Sequence, residues 1–394
     1  MKKDNYSTII DFGSSEIRLG VFGSNLSKLF FQSKNISEKK NYDEYSKSVS
    51  FLIREAENKI SNHLENATVM YDNPKMFTID ISIKKKLDKK IIFKDVCASI
   101  ILEANQLIED SYTDKKIIHS IIKKYTINDK EYLNIPDDIT EFDSIILEII
   151  FICLPKNQYK DVCEILKKNN IKILNFFSSS LVKSFKYIDF FKESKFVAFL
   201  DIGLDRTTII LFINKKLDYF NSVPVGGNHI SKDISQIMEL TFEESEELKK
   251  SFNKSEIDFS YNDSDSNENS NIIKNIIGKN ISIDLLKKVV LTRIEEIIEL
   301  SFKNINVSNN VKKQKNLNLV LIGKGSKLFN KNSFQIENKY NFKDINFYEE
   351  DDVEICESGL KFEKNFKDKD LQKVKKNQKK LGFFHRFFNF FGNR

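Results

Sequence analysis

Ile9-Ile10-Asp11-Phe12-Gly13-Ser14-Ser15, leading into Ile17-Arg18-Leu19-Gly20-Val21-Phe22, decides the reading of this chain because its pattern recurs. The second copy is Phe199-Leu200-Asp201-Ile202-Gly203, a polar loop ending in Thr207-Thr208, then Ile209-Ile210-Leu211-Phe212-Ile213. In each copy an apolar β-type run ends in Asp-x-Gly, turns through a short polar loop and enters a second strand-like run. The two aspartates stand 190 residues apart, and a third turn, Val320-Leu321-Ile322-Gly323-Lys324-Gly325-Ser326, completes the set. A single Asp-x-Gly turn is common at strand ends; the recurrence carries the weight.

Glycine at the bend of a tight hairpin lets backbone N–H groups and hydroxyls come close to phosphate oxygens. Two facing hairpins therefore predict a triphosphate held between them. An aspartate at each strand end, Asp11 and Asp201, is then placed to hold Mg²⁺ through water.

A chain of 394 residues has room for two or more domains with full cores. Cys97, Cys153, Cys163 and Cys356 are scattered without metal spacing and read as reduced, mostly buried thiols. Met1-Lys2-Lys3-Asp4-Asn5 runs almost directly into a strand, which predicts no signal peptide, and no apolar run has the length of a transmembrane helix. The net charge of +6 is concentrated: Lys361 to Arg394 carries +8, leaving −2 for the body. That distribution argues against a nucleic-acid-binding body and for a basic appendage.

Along the chain, Tyr45 to Leu64 reads as an amphipathic helix with Phe51, Leu52, Ala56 and Ile60 on one stripe, followed by a strand at Thr68-Val69-Met70-Tyr71. Phe93 opens a helix to about Glu109. Ile117 to Ile122 and Tyr125 to Ile127 read as two strands separated by a turn, and Ser144 to Cys153 as a long apolar one. Tyr159 to Asn169 and Ser179 to about Phe191 read as helices around a strand at Ile171 to Leu174. Ser260 to Asn271 is polar and lacks the glycine and terminal glutamate of a calcium loop, so it reads as an unstructured surface loop.

These segments resemble the actin/Hsp70/sugar-kinase superfamily and, within it, the FtsA family of bacterial division proteins. The resemblance runs from about Tyr6 to the C-terminus. It rests on the hairpins, on Val223-Pro224-Val225-Gly226-Gly227-Asn228-His229-Ile230-Ser231-Lys232-Asp233-Ile234, on Ser245-Glu246-Glu247-Leu248-Lys249, on Arg293-Ile294-Glu295-Glu296-Ile297, on the Gly323 turn and on the aromatic tail. It implies an α/β, actin-like (ribonuclease H-like) two-domain fold with an inserted small α/β subdomain, 1C, and a C-terminal amphipathic helix. The implied boundaries are 1–80 and 161–195 for the first domain, 81–160 for 1C, 196–345 for the second domain with an unstructured loop at 253–271, 346–362 for a return to the first, 363–380 for a charged linker and 381–394 for the helix. An unrelated α/β insertion at 81–160 remains an open alternative.

For ATP and Mg²⁺ the resemblance assigns Asp11, Gly13, Ser14 and Ser15 to the first phosphate loop and Asp201, Gly203, Thr207 and Thr208 to the second. Gly226 and Gly227 make the bend beside the phosphates. Glu246 and Lys249 border the ribose and base, although the same pair alone also reads as a solvated helix face. Gly323, Gly325 and Ser326 form the turn under the adenine. Three departures stand out: Glu16 where the family has lysine, Leu204-Asp205-Arg206 where it is glycine-rich, and Lys324 where it has a third glycine. Glu16 either points away from the phosphates or weakens binding, and Arg206 offsets Asp205 by reaching a phosphate. Slow or undetectable hydrolysis follows, so any enzyme activity is at most that of a weak ATPase.

Wound as a helix at about 100° per residue, the tail places Phe383, Phe384, Phe387, Phe388, Phe390 and Phe391 on one side, adjoining Leu381. Gly382, His385, Arg386 and Asn389 fall on the other. An aromatic face flanked by Arg386 and lysines is the pattern of a helix lying in a membrane interface; docking on the body or in a partner's groove are the alternatives. The resemblance implies filaments of this chain, the FtsZ C-terminal tail, other division proteins and anionic lipids as partners, no nucleic acid, and a peripheral place on the cytoplasmic face of the inner membrane at the division septum. A pilus-assembly actin homologue, or a sugar-kinase-like phosphotransferase, are the alternative functions.

Overall fold

The computed structural model describes residues 6–37, 41–87, 93–134, 142–251, 282–303, 305, 316–328 and 342–368. The aromatic segment Leu381 to Gly392, the loop 253–271 and the greater part of the expected linker lie outside them.

Two five-stranded sheets have the same construction. The first comprises β1 (Tyr6–Phe12), β2 (Glu16–Gly23), β3 (Lys28–Asn35), β4 (Asn66–Tyr71) and β9 (Lys172–Phe177), in the order β3-β2-β1-β4-β9. The second comprises β10 (Phe196–Ile202), β11 (Thr207–Ile213), β12 (Lys216–Val223), β13 (Leu317–Ile322) and β14 (Phe342–Phe347), in the order β12-β11-β10-β13-β14. Each begins with an antiparallel meander and adds two parallel strands on the other side of its first strand. Parallel strands need crossovers, and helices supply them: α1 (Tyr42–Ile60) leads into β4, and α5 (Gly227–Met238), α6 (Phe242–Ser251) and α7 (Ile283–Lys303) precede β13.

Both faces of the second sheet are covered, which is why its strands read as unbroken apolar runs rather than alternating ones. Ala198, Leu200, Ile209 and Leu211 pack with α5 and α7 residues such as Ile230, Val290 and Ile297. Val197, Phe199, Ile210 and Phe212 face the first half and join its core. Between the sheets lies α4 (Ser179–Tyr187), most of whose side chains are buried, Ser179, Ser180 and Lys183 among them.

A third unit, β5 (Phe77–Lys86), α2 (Phe93–Ser111), β6 (Lys115–Ile127), β7 (Lys130–Tyr132) and β8 (Ser144–Pro155), is inserted between β4 and α3 (Lys156–Lys168). Its antiparallel sheet runs β5-β8-β6-β7. Leu147, Ile149, Phe151 and Cys153 of β8 pack on α2. Their neighbours Ile150, Ile152 and Leu154 turn into the core of the first half. The period-2 alternation of one strand thus serves two cores. The insert also reaches the second half: Thr78 Oγ1 donates to the Phe220 carbonyl at 3.1 Å, and Lys123 Nζ lies 3.4 Å from Asp218.

The structure departs from the sequence reading in three places. The segment read as two strands at Ile117–Ile122 and Tyr125–Ile127 is one strand, β6, with register shifts between Ile117 and His119 and between Ile122 and Lys124. Strand β5, which opens the insert's sheet at Phe77, goes unread in the sequence because Asp80, Ser82 and Lys84 alternate with isoleucines and leave no continuous apolar run. The last described helix, α8 (Asp352–Asp368), runs into the expected linker. Its charged residues mask an inner face: Phe362 is buried, and Glu363 is buried and accepts from Thr68 Oγ1 at 2.9 Å.

The helix α8 lies against β1 and β4 so closely that a Cβ added at Gly359 would sit 2.5 Å from Met70 Sδ and 3.0 Å from Ile9 Cγ2. Gly359→Val overpacks that contact and is expected to destabilise the protein by about 1–3 kcal/mol. Urea denaturation followed by circular dichroism measures it, and an unchanged midpoint would show that α8 sits less tightly than this.

Candidate functional site

The two hairpins are built alike down to their bends. In the first, Gly13 N–H donates to the Glu16 carbonyl at 3.0 Å; in the second, Gly203 N–H donates to the Arg206 carbonyl at 2.9 Å. Register then fixes what stands opposite each aspartate: Arg18 across from Asp11, and Thr208 across from Asp201. Both aspartates end parallel strands, at the carboxyl edge where open α/β sheets bind ligands. They face a cleft of about 980 Å³ between the two halves, within the size range of nucleotide-type pockets.

Of the residues assigned from sequence, Asp11, Gly13, Ser14, Ser15, Asp201, Gly203, Gly227, Glu246, Lys249, Gly323 and Gly325 line that cleft. Thr207, Thr208, Gly226 and Ser326 stand behind its wall. Thr207 Oγ1 donates to the Val225 carbonyl at 2.8 Å, Thr208 Oγ1 accepts from Arg206, and Ser326 Oγ donates to the Gly323 carbonyl at 2.7 Å. These hydroxyls are spent on bonds within the chain, which their spacing in sequence could not show. Glu246 and Lys249 are no solvated pair. Lys249 is buried, pairs with Glu246 and donates to the Gly227 carbonyl at 3.0 Å and to Ser231 Oγ at 2.7 Å. Burial lowers its pKa from the usual lysine value.

Gly323 has φ +83°, and a side chain there would place Cβ 2.4 Å from Asp201 Oδ1. Only glycine allows that approach. Helices α5 and α7 are joined by Arg293, whose Nε and Nη2 reach Asp233 Oδ2 and Oδ1 at 2.5 and 2.8 Å, tying together two of the segments noted in sequence.

The floor of the cleft is an ion-pair network that the sequence reading largely missed. Asp11 Oδ1 accepts from Ser179 Oγ at 2.5 Å, and its Oδ2 from Arg18 Nη1 at 2.7 Å. Asp201 Oδ1 accepts from Lys183 Nζ at 2.7 Å, while its Oδ2 lies 2.5 Å from Ser180 Oγ and 3.3 Å from Arg206 Nη2. A third carboxylate, Asp72, receives Ser178 Oγ at 2.6 Å, Ser180 N–H at 2.8 Å and the Arg206 guanidinium. Lys183 also reaches Glu350 at 3.1 Å, which accepts the Gly323 N–H at 3.0 Å.

Glu16 is taken up by cations of the chain itself. It is buried and neutralised by Arg18 and by Lys324, while Asp352 holds Arg18 Nε at 2.8 Å. Arg206 is turned to Asp72, Asp201 and Thr208, whereas Asp205 accepts from Asn228 Nδ2 at 3.1 Å. One signal was legible: Ser178-Ser179-Ser180 ahead of an apolar helix is an N-terminal cap, and Ser178 Oγ accepts from Leu181 N–H at 3.2 Å.

The residues do not fit the expected Mg²⁺. Each oxygen of Asp11, Asp72 and Asp201 already accepts from a donor of the chain, and three of the partners are cations. Among the described residues, no group of three or more His, Cys, Asp or Glu side chains is arranged to hold a metal ion.

Two halves of matched strand order around a cleft floored by twin Asp-x-Gly hairpins define an actin-like fold. Across the whole chain it is similar to a structure of the PilM–PilN type IV pilus biogenesis complex, with TM-score 0.55, 13% identity and coverage of 92% of this chain and 96% of that one. The family model described as cell division protein FtsA matches residues 198–331. Among curated proteins, the cell division protein FtsA of Bacillus subtilis is 24% identical over 219 residues, 54% of this chain and 47% of that protein. The FtsA of Helicobacter pylori is 23% identical over 137 residues, 34% of this chain and 27% of that protein. The matches thus span from about a quarter to about half of those relatives. By fold the chain is actin-like, and over these stretches its sequence is similar to FtsA proteins.

Burial opposes charge on Asp201, but Lys183 and Arg206 overcome it and hold its pKa well below the usual carboxylate value, while burial raises that of neighbouring Glu350. Lys183 is held above its ordinary value, burial being outweighed by Asp201 and Glu350. Stability from Asp201 is therefore present above an unfolded pKa of about 3.9 and lost as pH falls further; that from Lys183 is present below about 10.4 and lost as pH rises past its folded value. Asp201→Asn should blunt the acid limb of the melting-temperature profile. Lys183→Met leaves Asp201 and Glu350 buried without their shared cation, at an expected cost of about 3–5 kcal/mol. Calorimetry of the two variants across pH checks both; equal acid limbs in wild type and Asp201→Asn would remove Asp201 from the account.

Proposed function

We propose that this chain is an ATP-binding, filament-forming actin homologue that ties FtsZ polymers to the cytoplasmic face of the inner membrane at the division septum and recruits later division proteins. The observation that carries the reading is a coincidence of two signals. The FtsA match over residues 198–331 contains the cleft-lining Asp201, Gly203, Gly227, Glu246, Lys249, Gly323 and Gly325. The same chain carries Leu381, six phenylalanines between Phe383 and Phe391, and Arg386 in an amphipathic pattern. No described helix is long and apolar enough to cross a membrane, so attachment on this reading is peripheral.

A short interfacial helix binds a bilayer modestly, with each lysine near an anionic surface adding about 1 kcal/mol. Polymerisation multiplies that affinity, so filaments stay where monomers exchange. ATP in the cleft supports the filament-forming state. Arg206, Asp205 and Glu16 replace the usual phosphate-loop residues, so turnover is slow. A pilus-assembly role shares the fold; the aromatic tail favours the division reading over it.

Flotation with anionic liposomes separates these. The full chain is expected to float, a chain ending at Lys380 to stay in solution, and raised salt to weaken the attachment. Equal behaviour of the two chains would refute the tether. ATP turnover by the full chain is expected to fall far below the roughly 10 s⁻¹ median of enzymes; a rate near that figure would restore the phosphotransferase reading.

A further inference from the structure

In a cleft of this kind a divalent cation has two tasks: it neutralises the carboxylates at the strand ends, and it bridges them to the phosphates. Here the first task is already done by the chain. Arg18 lies across from Asp11 in the register and bonds it at 2.7 Å. Lys183, on α4, lies 2.7 Å from Asp201 and 3.1 Å from Glu350 with its side chain buried. Arg206 bridges Asp72 of the first half and Asp201 of the second.

An ion seated on Asp201 would meet the Lys183 ammonium at contact distance, and displacing that ammonium would strand a buried charge. Open carboxylate oxygens are what Mg²⁺ requires of a protein, directly or through its waters. Asp11, Asp72 and Asp201 each have both oxygens committed. The second task has a candidate as well. Arg206 belongs to the loop Gly203 to Arg206, which lines the cleft together with Lys249, Lys250, Lys324 and Lys327. A guanidinium carries five N–H donors in a planar fork that suits carboxylate and phosphate alike.

We propose that Arg18, Lys183 and Arg206 take the place of the divalent cation in this cleft, so that nucleoside triphosphate binds without one. This rests on the nucleotide reading above, and extends it to a metal-independent mode. Glu16 and Lys324 belong to the same arrangement. The lysine that the phosphate loop lacks is supplied from the opposite half, where it pairs with Glu16 and lies 3.5 Å from Asp352.

The test is titration calorimetry of ATP into the full chain, once with excess MgCl₂ and once with EDTA, beside Mn²⁺ paramagnetic resonance of the protein with and without ATP. Affinities agreeing within roughly twofold, and a Mn²⁺ spectrum showing no protein-bound species, are expected. A loss of about tenfold or more in EDTA, or an immobilised Mn²⁺ signal, overturns the proposal while leaving the nucleotide reading intact. No heat in either buffer overturns the nucleotide reading, and this proposal with it. Arg206→Gly frees Asp72 and Asp201 of one cation and should acquire dependence on Mg²⁺; the same affinity in both buffers for that variant also counts against the proposal. The wild-type comparison stands whether or not the variant folds.

Discussion

Three carboxylates, Asp11, Asp72 and Asp201, converge on the amino end of α4, and the arrangement of the two halves depends on how their charge is met. Part of the answer is the helix itself, whose first N–H groups and serine hydroxyls point at them: Ser179 at Asp11, Ser180 N–H at Asp72, and the Ser180 hydroxyl between Asp72 and Asp201. The remainder comes from Arg18, Lys183 and Arg206. Because Asp72 belongs to the first half and Arg206 to the second, the same charges that satisfy the floor also hold the halves together. Buried pairs of this kind add little net stability, but breaking one by removing a single partner is costly. They therefore specify a geometry more than they strengthen it.

Two of the departures from the FtsA-type pattern are partners of one another, and a third finds its partner in Asp72. Glutamate at 16 and lysine at 324 meet across the cleft. Arginine at 206 meets Asp72. Each substitution alone looks like damage to a phosphate loop. Together they conserve charge balance while moving the positive groups to new places around the cleft.

The framework of the fold was legible because its signals are local. Continuous apolar strands interrupted by Asp-x-Gly mark β1–β2 and β10–β11, and the Gly323 turn marks the end of β13. Strand β5 was hidden by its alternation with charged residues, and β6 by its register shifts, which break the period on which strand reading depends. The cleft lining was half legible: glycines and aspartates announced themselves, whereas Arg18, Asp72, Lys183, Glu350 and Asp352 did not. Their partners lie far off in sequence, 334 residues for Arg18 and Asp352, 167 for Lys183 and Glu350, 134 for Arg206 and Asp72. Periodicity carries no information on such pairings; only the folded sheets bring them to one place. The same limit applies to Thr207 and Thr208, whose hydroxyls suit a phosphate site but are engaged by the Val225 carbonyl and by Arg206.

Helix α8 begins at the charge network, through Asp352, and ends at the residues that lead to the aromatic tail. Between those points it is pinned by Gly359 against Met70 and by Glu363 to Thr68 of β4. Its 17 residues make a rod of about 25 Å. Mechanically this is a drawbar: a pull applied beyond Asp368 travels along one helix axis and is shared by a whole sheet, instead of peeling an edge strand away hydrogen bond by hydrogen bond.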